Sequence, residues 1–70
     1  MTFAESKIVV VPFGQYRGRT LDDIARTDEG LLYLDWLRGQ GVQSEPLKTA
    51  LDTYLDDAGI AADLMKVVRP

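Results

Sequence analysis

Ile8-Val9-Val10-Val11-Pro12-Phe13-Gly14-Gln15-Tyr16-Arg17-Gly18-Arg19-Thr20 is the stretch on which the fold turns. Four β-branched residues in a row favour extended backbone, because branching at Cβ stiffens χ1 and suits a pleated surface. Pro12 cannot donate a ladder hydrogen bond, so it marks an edge or a change of pairing. Phe13 to Tyr16 can continue in extended form, Arg17-Gly18 can make a two-residue turn, and Arg19-Thr20 can return. The expectation is a short β-hairpin or small antiparallel sheet over residues 7 to 20.

Beyond Thr20 the pattern is helical. Thr20 stands where an N-cap belongs, and Asp22 and Asp23 favour the positive end of a helix that ends near Thr27. Asp28 is the next N-cap candidate, opening a helix of about 29–38 with Leu31, Leu34 and Leu37 on one side. Leu32, Tyr33 and Trp36 widen that stripe, and Trp36 is read as core. Gly39 reads as the left-handed cap. Ser44-Glu45-Pro46 starts a third helix of about 45–58, with Ser44 capping and Pro46 tolerated in the first turn. There Leu47, Ala50, Leu51, Tyr54, Leu55 and Ala58 recur at helical spacing, and Gly59 ends the run. The tail is open: Ile60, Leu64 and Val68 repeat every four residues, yet Val67-Val68 could add a strand. The fold class expected is therefore α+β, a hairpin or small sheet packed on about three helices. Leu34 and Leu37 would meet Leu47, Leu51 and Leu55 in the core.

A chain of 70 residues makes one domain and buries only about 60% of its unfolded surface. With no Cys and no His, disulfides, thiolate metal sites and the commonest general base are excluded. Such a small core invites help from a partner or a second copy, so a homodimer is among the expectations. No cofactor motif is present. The longest apolar run, Ile8 to Phe13, is far too short to cross a bilayer, and a soluble cytoplasmic protein is expected. Net charge is −3, but its distribution is uneven. Lys7, Arg17 and Arg19 form a stretch without an acid, whereas Glu45, Asp52, Asp56, Asp57 and Asp63 face only Lys48.

Phe13-Gly14-Gln15-Tyr16-Arg17-Gly18-Arg19-Thr20-Leu21, a short acidic helix and then Tyr33-Leu34-Asp35-Trp36-Leu37 resembles the small C-terminal domain of exodeoxyribonuclease X-like proteins. That domain also occurs as a free-standing small protein in bacteria and their phages. The likeness covers residues 12 to 57. The family pattern reads Phe-Gly-Lys-Tyr-Lys-Gly-Lys, a small hydroxyl residue and an apolar one. Arg17 and Arg19 keep the charge of two of those lysines, while Gln15 loses that of the first. In fused proteins the domain sits beside a nuclease, so the resemblance implies an accessory role near DNA.

The candidate nucleic-acid contacts are Lys7, Gln15, Tyr16, Arg17, Gly18 and Arg19. The arginines supply positive charge to phosphates, Tyr16 offers a stacking face, and Gly18 lets backbone approach a ligand. Asp22-Asp23, Asp28-Glu29 and Asp56-Asp57 are not metal or acid–base pairs, because neighbours on a helix point about 100° apart. No nuclease, phosphate-loop or nucleophile motif is present. A non-catalytic nucleic-acid-associated module is the leading expectation. A small acidic adaptor or inhibitor of a protein partner is the alternative.

Overall fold

The structure is a computed structural model, and it describes residues 1–68. Five helices succeed one another: α1 (Phe3–Lys7), α2 (Leu21–Ile24), α3 (Asp28–Gly39), α4 (Leu47–Asp56) and α5 (Ala58–Val68), with a 3₁₀ turn at Gly14–Tyr16. The expected α+β class is wrong. Among the described residues there is no sheet, only one antiparallel bridge between Val10 and Thr20.

Hydrogen bonding explains why the β-branched run stops there. The Val11 N–H donates to the Arg19 carbonyl at 2.9 Å and the Leu21 N–H to the Val9 carbonyl at 3.0 Å, which closes one rung. Towards the loop, the Arg19 N–H turns back to the Tyr16 carbonyl at 3.0 Å, and the Val11 carbonyl takes the Gly18 N–H at 2.8 Å instead. Pro12 has no N–H to continue the ladder. On the other side, the Val9 N–H is held by the Ser6 carbonyl at 3.3 Å and the Leu21 carbonyl by the Ala25 N–H at 3.0 Å. Helices α1 and α2 thus consume the groups that the next rung needs. The alternation of an extended strand survives: Val11 is fully buried, whereas Ile8 and Val10 are exposed.

Helix α1 has a clear local cause. Thr2 and Glu5 form a reciprocal capping box, each side chain accepting from the other's backbone N–H, a pattern written in Thr-x-x-Glu. Thr20 caps α2 through Asp23. Helix α3 is capped one residue earlier than expected, Thr27 Oγ1 accepting from the Gly30 N–H at 3.0 Å. Its end also moves: Gly39 is helical, Gln40 is the C-cap, and the positive φ of 75° falls on Gly41. Ser44 does not cap α4 with its side chain; the Glu45 carboxylate accepts from Thr49 N–H and Oγ1 instead. Gly59 is no terminator either. Asp57 breaks the helix and caps the next one, accepting from the N–H groups of Gly59 and Ile60 at 3.1 and 3.3 Å. The tail is therefore helix, not strand, through Val68; residues 69–70 lie outside the described part.

The core gathers Leu21 and Ile24 from α2, Leu31, Leu34 and Leu37 from α3, Leu47, Leu51, Tyr54 and Leu55 from α4, and Leu64 from α5. Helix α4 is the hub, packed against α1, α3 and α5. The expected meeting of Leu34 and Leu37 with Leu47, Leu51 and Leu55 is present. What displaces the imagined sheet is α1, whose Phe3 ring stacks on Tyr54 at a centroid distance of 5.3 Å.

Candidate functional site

The loop between the bridge and α2 folds onto α3 through aromatic contact. Tyr16, at the end of the 3₁₀ turn, packs on Tyr33 with ring centroids 4.8 Å apart, and Tyr33 meets Trp36 at 5.8 Å. Arg19 places its guanidinium 5.8 Å from the centre of the Tyr16 ring. A continuous row results: Arg19, Tyr16, Tyr33, Trp36. Two glycines permit it. Gly14 has φ +75° and lies so close to Tyr33 that an added Cβ would stand 2.9 Å from the hydroxyl oxygen. Gly18 has φ +84°, which lets its N–H reach Val11, a backbone region that side chains rarely enter.

Beside this row lies an open groove of about 710 Å³ bounded by Phe13, Gln15, Tyr33, Trp36, Gln40 and Val42. Trp36 is 55% exposed and Phe13 39%, so the groove is walled by accessible ring faces. Trp36 was expected in the core, and it is not. It sits two residues beyond Leu34, about 200° around the helix, and Leu34 is the residue that is fully buried. Leu31, Leu34 and Leu37 fill the inward face of α3 and leave Trp36 outside. The groove walls carry no formal charge. The carboxamides of Gln15 and Gln40 are their hydrogen-bonding side chains, besides the Tyr33 hydroxyl and the Trp36 indole N–H.

The six residues expected to contact nucleic acid do not all come together. Gln15, Tyr16, Arg17, Gly18 and Arg19 share the loop, with Gln15 on the groove wall and Tyr16 in the aromatic row. Lys7 is tied elsewhere: its ammonium lies 5.7 Å from the centre of the Phe3 ring, which itself stacks on α4. Arg19 is partly spent, since its Nε donates to Asp23 at 2.6 Å. That bond holds the Asp23 carboxyl below its ordinary range. Arg17 makes no salt bridge among the described residues. The sequence alone did not point to Phe13, Tyr33, Trp36, Gln40 and Val42 as members of the site. Spacing could have found Tyr33, Trp36 and Gln40, which recur at i, i+3 and i+7 on a face of α3 flanking Leu37.

Three of the six paired carboxylates have side-chain partners. Asp22 accepts from the Tyr54 hydroxyl at 3.4 Å, Asp23 pairs with Arg19, and Asp56 pairs with Arg38 at 3.2 Å. No group of three His, Cys, Asp or Glu among the described residues is arranged to hold a metal ion, and none of the described helices is long and apolar enough to cross a membrane. In comparisons with known proteins, no family model, no curated protein and no solved structure matches this chain.

Proposed function

We propose that this chain is a non-catalytic module that associates with nucleic acid, and with single strands in preference to duplex. The observation that carries the reading is the row of Arg19, Tyr16, Tyr33 and Trp36, in which Arg19 and Trp36 are exposed and the two tyrosines between them half-buried. An exposed indole on an aromatic row that ends in a guanidinium suits unpaired bases with their phosphates, since every base has a face to stack and every nucleotide a charge to neutralise. The resemblance to the exodeoxyribonuclease X-like C-terminal domain, carried by the same loop and by Tyr33 and Trp36, supports an accessory role of this kind. Carboxylates engaged with Tyr54, Arg19 and Arg38 support a module without chemistry of its own. A cytoplasmic setting accords with a chain that uses no cysteine.

Net charge of −3 makes binding weak and strongly dependent on local geometry. With Lys7 held over Phe3, Arg17 and Arg19 provide about two phosphate contacts, which predicts a log–log salt slope of about −1.4 on a single strand. Fluorescence anisotropy with labelled single- and double-stranded oligonucleotides across a salt series measures this directly. Arg17→Ala with Arg19→Ala should flatten the slope and leave the fold intact, because neither side chain is in the core. Absence of binding to every oligonucleotide at about 50 mM salt, where phosphate contacts are strong, would sink the reading and favour a protein partner on the same face.

A further inference from the structure

We infer that the groove between the 13–16 turn and α3 is a pocket for one unpaired nucleobase, an inference that rests on the nucleic-acid reading above and specifies its ligand. The first support is shape. A groove of about 710 Å³ lies within the ~300–1,000 Å³ range of small-molecule sites, large enough for a nucleoside and too small for a duplex. Trp36 and Phe13 stand exposed on its walls, and Tyr33 between Tyr16 and Trp36 is held by ring contacts on both sides. A rigidly backed aromatic surface is what a flat heterocycle needs, because ordering flexible side chains at the moment of binding would cost affinity.

The second support is polarity. Neither a carboxylate nor a cationic group bounds the groove, so its walls offer a charged ligand group no ion-pair partner. A neutral heterocycle with a donor–acceptor edge needs none. Gln15 and Gln40 each present a carboxamide with both functions, and neither carboxamide makes a side-chain hydrogen bond within the described structure. The third support is the placement of charge outside the groove rather than in it. Gln15 lines the pocket, Tyr16 backs it through Tyr33, and Arg17 comes next along the chain. The charge that a phosphate needs is thus left to residues outside the groove.

The test separates this pocket from binding by charge alone. A ten-nucleotide thymidine strand and an abasic strand of equal length and charge are titrated into the full chain at low salt. Two signals are read: anisotropy of a label on the strand, and fluorescence of Trp36, the chain's single tryptophan. The base-bearing strand should bind about 5- to 150-fold more tightly, the range set by one stacked base, and should quench Trp36; the abasic strand should do neither. Trp36→Ala should bring the base-bearing strand down to abasic affinity and leave abasic binding unchanged. Equal affinity for the two strands without quenching, or full affinity retained by Trp36→Ala, overturns the base pocket while the phosphate-contact reading stands. Binding by neither strand overturns both. An unchanged circular dichroism melt of Trp36→Ala shows that the loss, where seen, is local.

Discussion

Gly30 shows how a single missing methyl sets the geometry of the α2–α3 corner. A Cβ built there would lie 1.8 Å from the Ile24 carbonyl oxygen and 3.0 Å from the Thr27 hydroxyl. Both neighbours are fixed, one by the backbone at the end of α2 and the other by its cap on α3. Gly30→Ala should therefore destabilise by about 1–3 kcal/mol through overpacking, exceeding the gain of ~1 kcal/mol from better helix propensity. Gly39 makes the control, since it is helical with nothing near its missing Cβ; Gly39→Ala should stabilise by about 0.4–1 kcal/mol. Urea titrations of the two variants decide the matter, and equal shifts in one direction would refute it. Trp36 carries the opposite lesson. Its exposure is legible in the 100° step of a helix, because Leu34 and Trp36 cannot both face the core. Residue type points inwards, and geometry points out.

Among elements, a hydrogen-bonded start ties several helices to particular residues of the sequence. Helix α3 opens at Thr27, whose hydroxyl accepts from Gly30, within one residue of where the Asp28-Glu29 pair suggests. Thr27→Ala should cost about 0.5–2 kcal/mol, while Thr27→Ser should cost much less; thermal melts of the pair check the cap, and equal losses would assign the effect to something other than the hydroxyl. Helix α1 is equally legible in Thr2 and Glu5, a signal masked by the valine run beside it. Asp57-x-Gly59 has the composition of an ending and is a break with a new start, since its carboxylate bonds forward to Gly59 and Ile60. Val9 to Val11 is the element for which local propensity is right and the outcome still different. The segment is extended and alternates in burial, but its free ladder groups are claimed by α1, by α2 and by the loop's own turn. A strand needs a partner, and no local rule supplies one.

At the scale of the whole molecule, Tyr54 ties three helices together. Its ring stacks on Phe3 of α1, its hydroxyl donates to Asp22 of α2, and it is itself part of α4 with 1% exposure. Burial first, then the Asp22 carboxylate, raises its phenol from the ordinary 10.0 to about 12. The folded state therefore holds the proton more tightly than the unfolded chain does. That contribution is intact below pH 10.0 and is lost as pH rises to about 12. Denaturation midpoints measured across that window should fall more steeply for the native chain than for Tyr54→Phe; identical curves would show that the hydroxyl is not the coupled group. The same scale separates what is written locally from what is not. The sequence alone determined that α3 and α4 exist, that Leu34, Leu37, Leu47, Leu51 and Leu55 face the core (though not that Leu32 stays exposed), and that disulfides and thiolate or imidazole chemistry are excluded by the lack of Cys and His, because periodicity, caps and composition are local properties. Only the tertiary structure decided that residues 8 to 20 form one bridge and a looped turn instead of a sheet. It alone laid that turn against α3 to make the aromatic groove. Both outcomes depend on which distant groups compete for the same hydrogen bonds and which face of a helix the core has already filled.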